Sequence, residues 1–162
     1  MLIHSSLVAA LVTPYRPLRA PIPRLCTGFD EELNLIYDGK CSICQWERDN
    51  LISLGAEGKV TFTDLEDEYD ATDARNGGQS YRAAMTRLTA VTRDGKILSG
   101  MSVLAARYAQ VGLGWVFTPL QWPVVGEAIE RAYELFAAVR TDITRGRRLD
   151  DLVNEHEQSE GR

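Results

Sequence analysis

Cysteine and histidine are scarce in this chain, which has three cysteines and two histidines among 162 residues. Three cysteines are too few for a small secreted scaffold stapled by disulfides. A zinc or iron–sulfur site needs more ligands than one C-x-x-C pair supplies. Apart from Cys41 and Cys44, the Cys and His residues lie near the termini: His4, Cys26 and His156. A metal site would therefore need carboxylates or a second chain.

A nucleic-acid partner and a membrane span are both unexpected. The formal net charge of -5 favours solubility and disfavours a nucleic-acid partner. The longest uncharged run, residues 108–126, is 19 residues long but holds three glycines, two prolines and two glutamines, which disfavour a lipid-buried helix. Peripheral membrane contact through Trp115–Trp122 stays an alternative. We expect the three tryptophans to serve packing: Trp46, Trp115 and Trp122.

Acidic residues are absent from residues 1–29, which hold three arginines and four of the six prolines. A basic, acid-free, hydroxyl-bearing leader is typical of an organellar transit peptide. A disordered or loosely packed N-terminal arm is the alternative, and in both cases Cys26 lies outside the folded domain. We therefore divide the chain into an N-terminal extension (1–29), a domain (30–148) and a polar C-terminal tail (149–162).

The order of apolar runs and turn signals predicts an α/β domain. The predicted strands are residues 33–37, 59–65, 88–92 and 96–100, with an Asp-Gly hairpin turn at Asp94. The predicted helices are residues 41–54, 79–87 and 101–111, and a final helix opens with Pro123. This order is the thioredoxin-like arrangement, a small central sheet flanked by helices, here with an additional C-terminal helix.

The same pattern also predicts which of three further segments are solvated and which one packs. The acidic segment 66–78 is predicted to be a solvated loop. The final helix is predicted to pack through one apolar face: Val125, Ile129, Ala132, Phe136 and Val139. The basic group at its end is interpreted as a solvated tail: Arg140, Arg145, Arg147 and Arg148.

Two of the cysteines lie where a strand and an Asp-Gly turn lead into a helix, in LNLIYDGKCSIC. At a helix N-terminus, unpaired N–H groups and the helix dipole favour the thiolate of Cys41, and Lys40 adds a cation beside it. Cys44 is one turn further along the same face. This spacing suits Cys41 as the nucleophile that forms a mixed disulfide and Cys44 as the thiol that resolves it.

Other interpretations of the pair stay open: a structural disulfide, a metal site, or two small core residues. A disulfide closing so short a loop would stabilise the fold by only about 2 kcal/mol. Asp38 also has two possible roles. It can shape the turn ahead of the helix, or it can accept the proton of the resolving thiol.

The stretch YDGKCSIC, with Asp38, Cys41 and Cys44, resembles the DCC family of thiol-disulfide oxidoreductases, named for a D-x-x-C-x-x-C motif. The similarity extends over VTFTDLED, DGKILSGMSVLAARYAQVGLGW and PVVGEAIERAYELFAAVR, and thus over residues 33–148. It implies a thioredoxin-like fold and an enzyme that exchanges disulfides through those three residues. It implies no cofactor other than the redox-active disulfide of the cysteine pair.

The chain departs from related patterns at two places. No proline occurs between Pro23 and Pro119, whereas thioredoxins place a cis-proline before the third strand. Ser42 and Ile43 stand between the cysteines, where family members often have Gly or Pro followed by an apolar residue. These departures leave open whether the protein reduces, oxidises or isomerises disulfides.

The expected partner is a protein or small-molecule disulfide or dithiol. The alternative function is a non-catalytic thioredoxin-like module that binds metal or a partner protein. The stretch YAQVGLGWVFTP is similar to family members of plants, algae and photosynthetic bacteria. Together with the leader, it favours a chloroplast location, with the mitochondrion, or the cytoplasm of a bacterium, as alternatives.

Overall fold

The central sheet has the order β2-β1-β3-β4. The structure, a computed structural model, describes residues 28–67 and 69–160. The strands are β1 (Leu33–Tyr37), β2 (Val60–Asp64), β3 (Thr89–Thr92) and β4 (Ile97–Ser99). β1 is parallel to β2 and antiparallel to β3, and β3 and β4 form an antiparallel hairpin. The predicted thioredoxin-like α/β fold is confirmed.

Helices flank this sheet. They are α1 (Ser42–Ser53), α2 (Tyr81–Thr86), α3 (Met101–Gln110), α4 (Pro123–Arg145) and α5 (Leu149–Glu160). Two 3₁₀ helices, Ala74–Asn76 and Gly114–Gln121, precede α2 and α4. The strands and the first three helices lie close to their predicted positions.

The two faces of β1 lead into two separate apolar clusters. Leu33 and Leu35 pack on one side with Leu51 of α1 and Val103 of α3. Ile36 packs on the other side with residues of α2 and α5. This alternation follows the period of two of a β-strand. Because β1 is buried on both faces, the turn that follows it is held in a fixed place.

The segment after β2 is partly buried, which corrects the prediction of a solvated acidic loop. Tyr69 and Asn76 are only 4% and 2% exposed. Asn34 of β1 donates through its side-chain amide to the carbonyl of Arg75 at 2.8 Å. Asn76 donates in the same way to the carbonyl of Asp70 at 2.8 Å. These buried amides satisfy loop carbonyls and so draw the segment onto the sheet.

Residues 149–160 form α5, where we expected a polar tail. Leu152 and Val153 are 3% and 1% exposed and join the apolar cluster beside α2. The ring of His156 stacks on Tyr81 with a centroid distance of 3.8 Å. The segment reads as polar in sequence because its buried apolar residues are few and are surrounded by charges.

The buried face of α4 differs from the predicted apolar face. Phe136 and Val139 belong to the predicted face but remain 37% and 43% exposed. On the adjacent face, the backbone N–H of Leu88 donates to the Tyr133 hydroxyl at 2.7 Å, and Arg140 is buried. Polar contacts, not apolar periodicity, therefore decide which side of α4 faces the domain.

The tryptophans do not serve packing, so that prediction is wrong. Trp46, Trp115 and Trp122 are 63%, 72% and 60% exposed.

Among the helices of the described residues, none combines the length and the apolar character needed to cross a membrane.

Candidate active site

The turn between β1 and α1 positions the cysteine pair. The N–H of Cys41 donates to the carbonyl of Asp38 at 3.1 Å, and the N–H of Lys40 donates to Asp38 Oδ1 at 3.0 Å. Cys41 is the N-cap residue of α1. Asp38 therefore shapes the turn, and Cys41 stands at the positive end of the helix dipole.

Gly39 is required by a close approach within this turn. Its N–H donates to Asp64 Oδ1 at 2.9 Å, at the end of β2. A Cβ on Gly39 would lie 1.9 Å from Asp64 Oδ2, a distance that no real contact allows. The Asp-Gly sequence thus holds the cysteine turn against the neighbouring parallel strand.

The two thiols differ in burial and in acidity. Cys41 is 0% exposed, whereas Cys44 is partly exposed, and both are free thiols. The hydrogen bond from the Cys44 thiol is the largest cause that lowers the pKa of Cys41 from 9.0 to about 5, against the opposing effect of burial. The Thr144 hydroxyl and the charge of Arg140 add to it. Donation of that hydrogen bond, together with burial, raises the pKa of Cys44.

Arg140 of α4 reaches the cysteine pair from across the chain. It is 7% exposed, its Nη1 lies 3.6 Å from Cys44 Sγ, and its Nη2 donates to the carbonyl of Met85 at 2.6 Å. Within the described ranges, no carboxylate forms an ion pair with it. The interpretation of Arg140 as part of a solvated tail is therefore wrong.

Arg145 joins α4 to the turn. Its side chain is 8% exposed, and its Nη1 lies 3.2 Å from Asp38 Oδ1 and 2.5 Å from Glu66 Oε1. Lys40 pairs with Glu66 at 2.6 Å, and the cation that lowers the pKa of Cys41 is Arg140, which corrects the role predicted for Lys40. Burial favours protonation of Glu66, but the hydrogen bonds from Lys40 and Arg145 outweigh it and hold the Glu66 pKa below its ordinary value.

Asp38 is 0% exposed, and only one of its carboxylate oxygens is engaged. Oδ1 accepts from Lys40 and Arg145, whereas Oδ2 has no hydrogen-bond partner among the described residues. An unpaired buried carboxylate oxygen is costly. In this place it is available to a proton donor.

A cavity of about 220 Å³ opens beside Cys44. Its walls are mostly apolar and include Leu35, Ile43 and Phe136. Residues that precede β3, where thioredoxins have their cis-proline, also line it: Thr86 and Leu88. Three arginines line it as well: Arg48, Arg107 and Arg140. Arg48 pairs with Asp49 and Arg107 with Glu47, whereas no carboxylate among the described residues pairs with Arg140.

The sequence predicted the cysteines and Asp38 as site residues, and the structure places them in one turn, but the sequence did not predict that Arg140, Thr144 and Arg145 lie beside them. Arg140 and Cys44 are separated by 96 residues, so no local spacing joins them. A signal was available on α4, where Tyr133, Ala137, Arg140 and Thr144 recur at helical spacing. The apolar stripe on the neighbouring face was the stronger pattern, and it predicted that face as the buried side of the helix.

The described part of the chain holds no group of three or more Cys, His, Asp or Glu side chains placed to bind a metal ion. Cys26 and His4 lie outside the described residues.

Comparison with known proteins points to one family. The family model of DCC1-like thiol-disulfide oxidoreductases matches residues 35–146, more than half of the chain. An uncharacterized chloroplastic protein of Arabidopsis thaliana is 27% identical over 136 residues, which are 83% of this chain and 60% of that protein. The chain thus spans less than two thirds of the length of this curated relative. No solved structure matches.

Proposed function

The chain belongs to the DCC1-like thiol-disulfide oxidoreductase family, and on that premise we propose that it exchanges disulfides through Cys41 and Cys44. The observation that carries the proposal is the placement of Cys41 at the N-cap of α1 and of Cys44 one turn further on, where a hydrogen bond between the sulfurs lowers the pKa of Cys41 and raises that of Cys44. A thiolate is the species that attacks a disulfide, and a neighbouring thiol is what releases the product.

The first step is the attack of the Cys41 thiolate on one sulfur of the substrate disulfide. The substrate S–S bond breaks, a mixed disulfide forms, and the departing sulfur leaves as a thiolate that takes a proton. Arg140 and the Thr144 hydroxyl stabilise the attacking thiolate before this step. Cys41 is 0% exposed and the Thr144 side chain of α4 hydrogen-bonds to its sulfur, so we expect the end of α4 to move before a substrate reaches it.

In the second step, Cys44 loses its proton and attacks the Cys41 sulfur. The mixed disulfide breaks, the second substrate thiol is released, and the enzyme keeps a Cys41–Cys44 disulfide. Two electrons have then passed from the dithiol to the substrate. Asp38 Oδ2 is the proposed acceptor of the Cys44 proton, because it is buried and makes no hydrogen bond within the part of the chain that the structure describes. The same steps run in reverse oxidise a substrate dithiol.

Trapping of the mixed disulfide tests this assignment. In a Cys26→Ser background, we expect Cys44→Ser to accumulate a mixed disulfide with a model protein disulfide, visible on a non-reducing gel and mapped by mass spectrometry. The matched control, Cys41→Ser in the same background, is expected to trap nothing. Trapping by the control alone would reverse the two roles. The proposal fails if neither variant traps a partner and the wild type neither reduces nor oxidises the substrate.

The role of Asp38 is tested with Asp38→Asn. Asparagine keeps an acceptor oxygen for the N–H of Lys40, so the turn is retained, but it cannot take a proton. We expect the mixed disulfide to form at a near-normal rate and to resolve about tenfold or more slowly. Stopped-flow kinetics separates the two steps. Equal slowing of both steps would limit Asp38 to the shape of the turn.

We also propose a chloroplast location, with residues 1–29 as the transit peptide. Support comes from the acid-free composition of this segment and from the chloroplastic relative. A fluorescent protein fused to residues 1–29 should enter chloroplasts in plant cells, and the same protein without the segment should not. Retention in the cytosol would contradict the proposal.

A further inference from the structure

Arg140 is a buried cation whose charge balance depends on the redox state of the cysteine pair. It is 7% exposed, and within the described residues its recorded polar contacts are the carbonyl of Met85 and the sulfur of Cys44. Its Nε has no hydrogen-bond partner among the described residues. Burying a charge is costly unless an opposite charge compensates it. In the reduced protein, the lowered pKa of Cys41 provides a thiolate charge near Arg140, whose Nη1 lies 3.6 Å from the sulfur of Cys44 in the same pair.

Oxidation removes that compensation. When the two sulfurs form a disulfide, the thiolate charge disappears, while the guanidinium stays protonated at every physiological pH. Glu47, the carboxylate that also lines the cavity, offers no substitute, because it is already paired with Arg107. The site therefore changes from about neutral to a net charge of one, next to the cavity that Arg140 and Cys44 both line.

The cavity defines what could supply the missing negative charge. Its volume of about 220 Å³ exceeds the roughly 150 Å³ that holds a benzene ring. Leu35, Phe62 and Leu104 are among its apolar wall residues. A ligand that satisfies both features has a short alkyl or single-ring body and one carboxylate.

Resting on the dithiol–disulfide cycle proposed above, we infer that the cavity beside Cys44 binds a small amphipathic carboxylate, and that it does so in the disulfide state. The carboxylate meets Arg140 from the cavity, beside Cys44, and the apolar body fills the cavity. Linkage is reciprocal. A ligand that prefers the disulfide form must lower the reduction potential of the pair, so that the bound carboxylate opposes reduction of the enzyme.

Octanoate is a suitable probe, with octanamide as its neutral counterpart of the same shape. We expect octanoate to bind the disulfide form at least about tenfold more tightly than the dithiol form, as one charge-assisted contact would give. Calorimetry on each form measures this ratio. Saturating octanoate should lower the reduction potential by about 30 mV, the two-electron equivalent of tenfold. Octanamide should show neither preference nor shift.

Two variants separate this inference from the proposed redox cycle. The double variant Cys41→Ser/Cys44→Ser keeps the cation and can form neither thiolate nor disulfide, so it should bind octanoate as tightly as the disulfide form. This comparison holds even if the wild type turns out not to exchange disulfides. Arg140→Gln keeps donors for the carbonyl of Met85 and should lose the preference for octanoate over octanamide. Arg131→Gln, an exposed position of α4, is the matched control and should behave as wild type.

The inference is overturned if octanoate binds neither form. It is also overturned if octanoate binds both forms equally, or if the double-serine variant binds it no better than the reduced protein does. Retention of the full preference in Arg140→Gln would likewise overturn it. The folded state of each variant is checked by circular dichroism before binding is measured.

Discussion

Cys41 and Cys44 share one turn of α1 but differ in the charge they carry. The hydrogen bond between the two sulfurs stabilises the thiolate of Cys41 and keeps the proton on Cys44. Arg140 and the Thr144 hydroxyl reinforce this difference from α4. The proposed division of labour between nucleophile and resolving thiol is therefore set first by the hydrogen bond within the pair and is reinforced from a distant part of the chain.

This difference predicts how the stability of the reduced protein depends on pH. The pKa of Cys41 falls from 9.0 to about 5 on folding, so the unfolded state binds more protons between these values. The stabilisation is complete above about pH 9 and is lost as the pH falls through about 5. We expect the free energy of unfolding of the reduced wild type, relative to Cys41→Ser, to rise from pH 5 to pH 9. Thiolate absorbance should titrate near pH 5.

The same thiolate titration on Arg140→Gln tests the contribution of the nearby cation, because this variant lacks the guanidinium charge. Its thiolate absorbance should titrate at a higher pH than that of the wild type, because one stabilising charge is lost. A wild-type titration near 9, with a flat stability difference, would contradict the assignment of the thiolate to Cys41.

At the residue scale, the sequence predicts only contacts between residues that are close along the chain. The turn and the two cysteines lie within seven residues, from Asp38 to Cys44, and their spacing carries the geometry. Arg145 is 107 residues from Asp38, and no periodicity connects them. Contacts of this kind depend on where α4 comes to lie, which the tertiary fold decides.

At the scale of elements, α4 is attached to the active site mainly by polar contacts. Glu130 pairs with Arg87 at 2.7 Å, Tyr133 accepts from the N–H of Leu88, and Arg145 holds the turn. Much of its apolar surface stays exposed, as at Phe136 and Val139. The C-terminal end of α4 differs from the rest, because Arg140, Thr141 and the side chain of Arg145 are buried there. The contacts of Arg145 with Asp38 and Glu66 hold this end in place, so their loss is expected to uncover Cys41.

Loss of the Arg145 contacts should expose Cys41. In a Cys26→Ser/Cys44→Ser background, we expect Arg145→Ala to raise the rate of Cys41 alkylation by maleimide about tenfold or more. The reason is that two hydrogen bonds to buried or half-buried carboxylates are lost. Mass spectrometry over time gives the rate.

Arg131→Ala is the control for this experiment. Arg131 lies on the same helix but is 74% exposed, and it pairs only with Glu127 one turn away. Its removal should leave the alkylation rate unchanged. Equal rates in the two variants would mean that α4 does not control access to Cys41.

The helices and strands were predictable from sequence only where the signal was local. Strands β1 to β4 were predictable because apolar runs and the turn at Asp94 are local signals. The orientation of α4 was not, because an apolar stripe normally marks the buried side of a helix. Here the buried side is determined by two hydrogen bonds, from the N–H of Leu88 to Tyr133 and from Arg140 to the carbonyl of Met85. Each joins residues that are remote in sequence.

At the scale of the whole molecule, α5 completes the core on one face of the sheet. The family match ends at residue 146, and α5 begins at Leu149. Even so, Leu152 and Val153 pack with Ile36 of β1 and Met85 of α2. The strand that leads into the active-site turn is thus covered in part by a segment beyond the matched region.

Removal of a buried side chain from α5 should therefore destabilise the whole domain. Leu152 is 3% exposed, so we expect Leu152→Ala to lower the free energy of unfolding by about 2–5 kcal/mol. The same change at Leu135, which is 73% exposed, should alter it by about 0.5 kcal/mol or less. Urea unfolding of the reduced variants measures both values. Equal, small effects would show that α5 does not support the core, and that the sheet carries the cysteine turn without it.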